Sequence, residues 1–340
     1  PADAADLFDA NFGQVVITAS QPDLAAADPT TQGPGVVLRE NPNATLNFVT
    51  LNVTTTAGLG FQAINSGTVN FITPAIIDAT GGAAVDIENT LGQTNGLDGF
   101  TFERLSSIDS SDEGVRLVNM ISDFTVRGDT YIQDNAGFGV EVAGGDEQVI
   151  IDFNEVNIVS RDNVGVQISD IAAIVKFANF DFDSNLYDMG TPLTCFVDRP
   201  AGNAINILET FAKDGRVEIN GGTILDPTND GIYIENSIAT VQNVMITVQD
   251  IDLDTDDGIE VVTTGTGSSV VLLANNVIDH PVDDTVVDPD EDDLTGDNGI
   301  SLVANGTGVL NATIINNLID SNDILDPVVD SIGSIHAIAD

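Results

Sequence analysis

Apolar and polar positions alternate in short bursts along this chain, and one burst recurs. A small residue precedes an apolar–polar–apolar triplet at Gly35-Val-Val-Leu, Gly60-Phe-Gln-Ala, Ala84-Val-Asp-Ile, Gly114-Val-Arg-Leu, Gly139-Val-Glu-Val, Gly165-Val-Gln-Ile, Ala204-Ile-Asn-Ile, Gly231-Ile-Tyr-Ile, Gly258-Ile-Glu-Val, Gly299-Ile-Ser-Leu and Ser334-Ile-His-Ala. Successive copies start 25, 24, 30, 25, 26, 39, 27, 27, 41 and 35 residues apart. A period in the twenties, stretched by occasional insertions, signals a solenoid in which one unit is stacked about eleven times.

Each triplet is followed by further short alternating runs, among them Thr45-Leu-Asn-Phe, Thr68-Val-Asn-Phe, Gly99-Phe-Thr-Phe, Ile150-Ile-Asp-Phe and Arg216-Val-Glu-Ile. A third apolar stretch often enters as Asn-x-Ile or Asn-Asn-x-Ile, as at Asn275-Asn276-Val-Ile278 and Asn316-Asn317-Leu-Ile319. Val, Ile, Phe and Thr fill the runs, and Gly, Asn, Asp and Thr bound them, which is strand and turn chemistry. Three short strands per unit predict one coil of an all-β, right-handed parallel β-helix. Each strand would pair with its counterpart one coil along, about 4.8 Å away. The small residue before the triplet suits a position where a Cβ would clash or where φ is positive. The Asn residues before the third strand suit an internal ladder of amide bonded to amide.

Residues 1–30 form a lead-in or a first partial coil, and 31–340 form the solenoid. Insertions fall near 91–98, 185–203 and 279–298, and loops of this kind carry variable function on solenoids. A repeat of this sort overrides the expectation of two globular domains from 340 residues, because a solenoid grows by adding coils.

Charge changes the picture most. There are 54 acidic residues against 9 basic ones, and Lys176 and Lys213 are the only lysines. A net charge of −45 excludes nucleic acid and anionic membranes as partners. It suits a solvated surface in saline surroundings, with carboxylates screened or bridged by divalent cations. The chain holds no run of 18 apolar residues that would predict membrane insertion. Cys195 is the one cysteine, which rules out an intrachain disulfide, and no His or Cys cluster has zinc spacing.

Two sets of carboxylates are candidate sites. In the acidic insertion, Asp288, Asp290, Asp292 and Asp293 have spacing reminiscent of calcium ligands. The EF-hand pattern fails there, with Asp293 where Gly is required and Gly299 where Glu is required. No cofactor is otherwise required. Farther back, Asn229-Asp230-Gly231 and Asp256-Asp257-Gly258 place carboxylates just ahead of the Gly that opens two successive triplets. The plain reading of Asp before Gly is a turn into a strand.

The combination of Gly-apolar-x-apolar, Gly-Thr-Val-Asn-Phe and Asn-x-Ile resembles parallel β-helix proteins of the pectin-lyase-like class. Within that class, Ala57-Gly-Leu-Gly-Phe-Gln-Ala-Ile-Asn-Ser-Gly-Thr-Val69 and Asn95-Gly-Leu-Asp-Gly-Phe-Thr-Phe102 are similar to repeats in very large secreted bacterial surface and adhesin-like proteins. The resemblance implies an extracellular or cell-surface structural or adhesive segment. Its expected partners are copies of itself, adjacent coils of a longer chain, or surface glycans. Polysaccharide lyases and hydrolases share the fold, so the resemblance also gives Asp230, Asp256 and Asp257 as the acids of a polygalacturonase-like site. That reading lacks a Gly-His-Gly motif and an Arg-x-Lys after the last triplet, and no Lys or Arg follows Arg216. The expectation is therefore a non-enzymatic module whose strand edges, uncapped by any amphipathic helix, dock onto further coils.

Overall fold

The computed structural model describes residues 9–19, 34–159, 164–183, 203–225, 227, 229–247, 257–280, 299–321 and 335–339. Two compact units divide the chain, Pro1–Asn157 with Ile171–Lys176 and Ile158–Asp170 with Phe177–Asp340. Both are built almost wholly from parallel strands stacked coil on coil, which is the parallel β-helix arrangement.

In the first unit the strands are β1 (Asp9–Ala19), β2 (Val36–Arg39), β3 (Thr45–Thr55), β4 (Phe61–Ile64), β5 (Thr68–Phe71), β6 (Ala75–Thr80), β7 (Val85–Glu88), β8 (Leu91–Thr94), β9 (Leu97–Asp98), β10 (Phe100–Ile108), β11 (Val115–Val118), β12 (Phe124–Gln133) and β13 (Val140–Ala143). Strands β14 (Ile150–Val159) and β16 (Ile174–Asp183) have residues in both units, with β15 (Val166–Ser169) between them. The second unit continues with β17 (Ile205–Leu208), β18 (Arg216–Leu225), β19 (Ile232–Glu235), β20 (Ile238–Thr247), β21 (Ile259–Gly265), β22 (Ser268–Ala274), β23 (Val277–His280), β24 (Ile300–Gly306), β25 (Val309–Ile315), β26 (Leu318–Ser321) and β27 (Ile335–Ala339).

Every triplet is a short strand. In the first unit they stack in the order β2, β4, β7, β11, β13, and in the second β15, β17, β19, β21, β24, β27. All pair in parallel and in register: Val36 lies on Phe61, Phe61 on Val85, and Ile232 on Ile259. From β4 to β24 the apolar members are buried and the member between them is mostly half-buried, with Gln62 and Ser301 buried; Val36 and Leu38 of β2 are half-buried. The second and third strands of a coil are separate at β5/β6, β22/β23 and β25/β26. Elsewhere they run on as one strand of 9–11 residues. Strand β20 shows how: Ala239 and Val241 face in, Gln242 and Asn243 form an outward corner, and Val244 and Ile246 face in again. Two outward residues in succession let the backbone turn while its apolar face stays on the core.

Left-handed backbone marks the corners. Asn65, Asn89, Asn119, Asp170 and Asn236 follow short strands with φ of 45–53°, and Asn243, Asn275 and Asn316 share the corner of the long strands. Asn and Asp tolerate this region because their short polar side chains bond locally. The glycines before the triplets have a different job. Gly60 lacks positive φ, but a Cβ there would lie 2.2 Å from Ile77 Cγ2 and 2.7 Å from the carbonyl oxygen of Ala84. Of the two reasons open in the sequence, close approach is the operative one.

The core is aliphatic with an aromatic column in the first unit. Phe102 and Phe124 have ring centroids 5.3 Å apart, and Phe124 and Phe153 5.4 Å. Phe71 meets Phe61 and Phe102 edge to face at 5.7 and 5.6 Å. Each such side chain contributes about 1.5–3 kcal/mol through burial.

Two expectations need correction. The Asn ladder is amide on amide where Asn243 Nδ2 donates to Asn220 Oδ1 at 2.7 Å, but not at Asn276 and Asn317. Asn276 Oδ1 accepts from Val244 N at 3.0 Å while its Nδ2 donates to the Val241 carbonyl at 3.0 Å. Asn317 repeats the contact one coil on, to Asn276 N and the Leu273 carbonyl. A buried amide has both a donor and an acceptor, and the backbone of the neighbouring corner offers one of each. In Asn-Asn-x-Ile the first Asn therefore makes the turn and the second caps the neighbouring coil. The 91–98 insertion, in turn, is not a simple loop: β8 stacks on β5, and β9 folds back antiparallel on β8. The insertions at 185–203 and 279–298 lie almost wholly outside the described residues. Among the described residues no helix is long and apolar enough to cross a membrane.

Candidate functional site

The residue just ahead of the small residue that opens each triplet sits where one coil meets the next. In the second unit this position holds Asn203, Asp230 and Asp257, one coil apart. Their side chains form a chain of caps. Asn203 Oδ1 accepts from Asp230 N at 2.9 Å, and Asp230 Oδ1 accepts from Asp257 N at 3.1 Å. Asn229 Nδ2 donates to Asn203 Oδ1 at 2.5 Å and to Asp230 Oδ2 at 3.2 Å. Asp230 and Asp257 are only 2% and 6% exposed.

Glu260 joins them from the outward face of β21. Carboxylate oxygens of Asp230, Asp257 and Glu260 all lie within 4.8 Å of one another. Burial pushes the Glu260 carboxyl upward, and the charges of Asp257 and Glu235 add to the rise. Tyr233 lies beside Glu260 in register, and its hydroxyl donates to Glu235 Oε2 at 3.2 Å. Burial, then the neighbouring Glu235 and Glu260, raise the phenol as well. Burial leads both shifts, and negative charge gathered on adjacent rungs adds to each.

The structure thus brings together Asp230 and Asp257, two of the three acids singled out in the sequence. Asp256 lies outside the described residues, as do Asp288, Asp290, Asp292 and Asp293. Glu260 was missed. Its only signal was to be the polar member of the triplet after Asp257, three residues on, a place that most triplets fill with a polar residue.

Chemically, three carboxylates are hard oxygen donors of the kind divalent cations take. In this site, however, Asp230 already accepts the Asp257 and Asn229 donors. An inverting glycosidase holds its two carboxyls about 6.5–9.5 Å apart to admit a water, wider than this cluster. The burial of Asp230 and Asp257 also leaves little surface for a sugar. The arrangement performs the structural task of capping coil junctions.

The first unit fills the outward position differently. Arg39 Nε donates to Gln62 Oε1, and Gln62 Nε2 donates to Asp86 Oδ2. Arg116 then ties Asp86 (2.9 Å), Glu88 (3.2 Å) and Glu141 (3.3 Å). Just ahead of Gly114, at the position that Asp230 holds in the second unit, stands Glu113, whose carboxyl is raised to about 7 by burial and by its hydrogen bond with Asp112.

The same unit carries a groove of about 630 Å³ beside the β8–β9 hairpin, lined by Leu91, Asp98, Ile121, Asp123, Asp146, Glu147 and neighbours. It is acidic and has no aromatic ring in its lining. Asp123 Oδ1 is engaged with Ile150 N at 2.8 Å. Comparison of the chain with family models, with curated proteins and with solved structures finds no match.

Proposed function

We propose that this protein is an extracellular structural or adhesive β-helix subunit that assembles, end to end or laterally, into a fibre, sheath or layer in saline surroundings. The observation that carries the reading is the state of the edge rungs among the described residues. The inward residues of β2 and β25 are only half-buried, whereas their counterparts one coil inward are fully buried. A strand edge with its N–H and C=O groups unpaired and its apolar rungs uncovered is a template for another strand. The acidic surface supports the saline setting, because a net charge of −45 on each copy opposes contact until salt or divalent cations screen it. Electron microscopy of the purified chain across a salt series, with and without Ca²⁺, tests the reading. Ordered polymers or layers are expected at high ionic strength, and single particles under every condition would refute it.

A second reading is a carbohydrate-binding adhesin module. The acidic groove favours it, since carboxylates accept hydrogen bonds from sugar hydroxyls. The lack of an aromatic stacking surface there counts against it. A glycan array with Asp98→Ala and Glu147→Ala controls separates specific binding from charge effects. A polygalacturonate panel scored for cleavage examines the enzymatic alternative at Asp230 and Asp257.

A further inference from the structure

One corner of the first unit departs from its neighbours. Between buried Phe102 and Leu105, strand β10 turns on two residues, Glu103 and Arg104. Between buried Phe153 and Val156, strand β14 turns on Asn154 and Glu155. Strand β12 lies between these two in the sheet, and it turns on three. Val126 lies on Phe102 and Thr130 on Leu105, so Arg127, Gly128 and Asp129 stand opposite two residues of β10. The ladder slips by one residue there, which is a β-bulge. Bulges re-aim side chains and recur beside functional sites. Both flanks are held, because Val126 and Thr130 are buried in the core.

The bulge presents two opposite charges to solvent. Arg127 and Asp129 are exposed, and Gly128 between them is half-buried. A Cβ on Gly128 would lie 2.4 Å from the Glu103 carbonyl oxygen, so the middle of the bulge is seated on the neighbouring coil. Positions two apart in extended chain are about 6–7 Å from each other. Neither charge is engaged within the fold. Among the described arginines, Arg39, Arg104, Arg116 and Arg216 each have a hydrogen-bond or ion-pair partner, and Arg127 has none. That is unexpected in a chain with 54 acidic residues and 9 basic ones. Asp129 makes no hydrogen bond among the described residues. Its charge acts on Arg104, but that guanidinium is already held by both carboxylate oxygens of Asp78, at 3.1 and 2.5 Å. Arg127 and Asp129 thus keep their full capacity for an outside partner.

We propose that the Arg127-Gly128-Asp129 bulge is an adhesion site for a protein receptor that holds a divalent cation beside an acidic pocket. The Asp129 carboxylate completes the coordination of the receptor's cation, and the Arg127 guanidinium enters the pocket. This rests on the adhesive part of the reading above and names its partner. A small divalent cation held by a few protein carboxylates keeps places for oxygen ligands from outside. A planar guanidinium pairs with a carboxylate through two parallel N–H···O bonds, which suits an acidic pocket. Gly128 adds no side chain between the two contacts. The bulge is anchored on both sides, so little freedom is lost when the pair is bound. Charge selects the same partner. With a net charge of −45 on this chain, a bare acidic receptor face is repelled, whereas one whose acids already hold a cation is not. A receptor surface of Lys and Arg would meet carboxylates anywhere on the chain, and would set like charge against Arg127.

The test immobilises the full-length chain and probes it with a purified integrin ectodomain of the kind that binds linear Arg-Gly-Asp peptides, in millimolar Mn²⁺ at physiological salt. Saturable binding is expected, lost on chelation with EDTA and displaced by a soluble Arg-Gly-Asp peptide. Asp129→Glu keeps the charge but moves the carboxylate out by one methylene. It should weaken binding by roughly 30-fold or more, the scale of breaking a desolvated charge pair across an interface. Arg127→Gln should do the same. Arg104→Gln, on the neighbouring corner, should leave binding unchanged. All three positions are exposed, and melting followed by circular dichroism verifies that the variants fold. No binding by the parent chain overturns the proposal. So does binding that persists in EDTA, or that Asp129→Glu retains in full. A loss in Arg104→Gln as large as in Arg127→Gln means that general charge is being read, and also overturns it. The broader reading is judged separately by the salt series and the glycan array: polymers or glycan binding without receptor binding leave it standing and remove only the bulge as its contact.

Discussion

Carboxylates gather about the outward face of the short strands in both units, but they are settled differently in each. In the first, Asp86, Arg116 and Glu141 succeed one another on neighbouring rungs, so a cation stands between two anions. In the second, Tyr233 and Glu260 occupy successive rungs beside Asp230, Asp257 and Glu235, and no Lys or Arg follows Arg216 in the chain. Adjacent rungs hold like charges about 4.8 Å apart. At that distance two carboxylates repel by roughly 3–4 kcal/mol at an effective dielectric near 20. Stacking in register therefore forces a choice that a scattered surface avoids. A ladder of charge must alternate in sign, or its members must resist ionisation. The first unit alternates at Arg116, and in the second Glu260 and Tyr233 resist ionisation.

Removing the cation breaks the comparison most directly. Arg116→Met leaves Asp86, Glu88 and Glu141 facing one another, and should cost about 1–3 kcal/mol, the scale of stranding charged partners. The loss should show as faster hydrogen exchange in β7, β11 and β13 with β19 and β21 unchanged. Equal loosening of both regions would mean that the stripe is not what divides them.

In the second unit the decisive group is a cap. Asp230→Ala strands the Asp257 N–H and should cost about 1–2 kcal/mol. Asp230→Asn keeps an acceptor, removes a charge from the cluster, and should equal or exceed the parent in melting temperature. A substantial loss in the Asn variant would show that the carboxylate's charge is required.

The pH dependence sharpens the contrast at a shared position. Glu113, before its triplet as Asp230 is before its own, titrates at about 7 in the fold against 4.5 when free. Between those values the folded state holds a proton that the unfolded state has lost. Its contribution is thus fully present below about pH 4.5 and declines as pH rises through 7. Glu260 is shifted in the same direction. Glu113→Gln and Glu260→Gln should each flatten the fall in melting temperature from pH 5 to pH 8. An unchanged slope in both would remove burial of these acids from the explanation.

The smallest effect belongs to an exposed pair. Arg104→Ala breaks the contact with Asp78, whose partners are substantially exposed, and should change stability by less than about 1 kcal/mol. A loss as large as that for Arg116→Met would mean that rung position, not burial, sets the cost.

Much of this architecture is written in single residues. Every triplet became a short strand because stacking repeats one inward–outward pattern each coil. The Asp before Gly became a coil junction because that corner leaves an N–H to be capped. Other features depended on distances that no local pattern encodes. Gly60 is needed for the approach of Ile77 and the Ala84 carbonyl from the next coil, not for its φ. Asn276 caps backbone 32 and 35 residues away, at Val244 and Val241. Glu260 reaches Asp230 only because a corner and a strand one coil apart converge.

The sequence by itself determined the period, the strands and which side chains face inward, because each follows from alternation repeated over a coil. Only the tertiary structure decided which outward groups stand on adjacent rungs and where carboxylates gather without a cation. Those properties come from the separation and register between coils, a relation among residues 23 to 44 positions apart that local patterning does not carry.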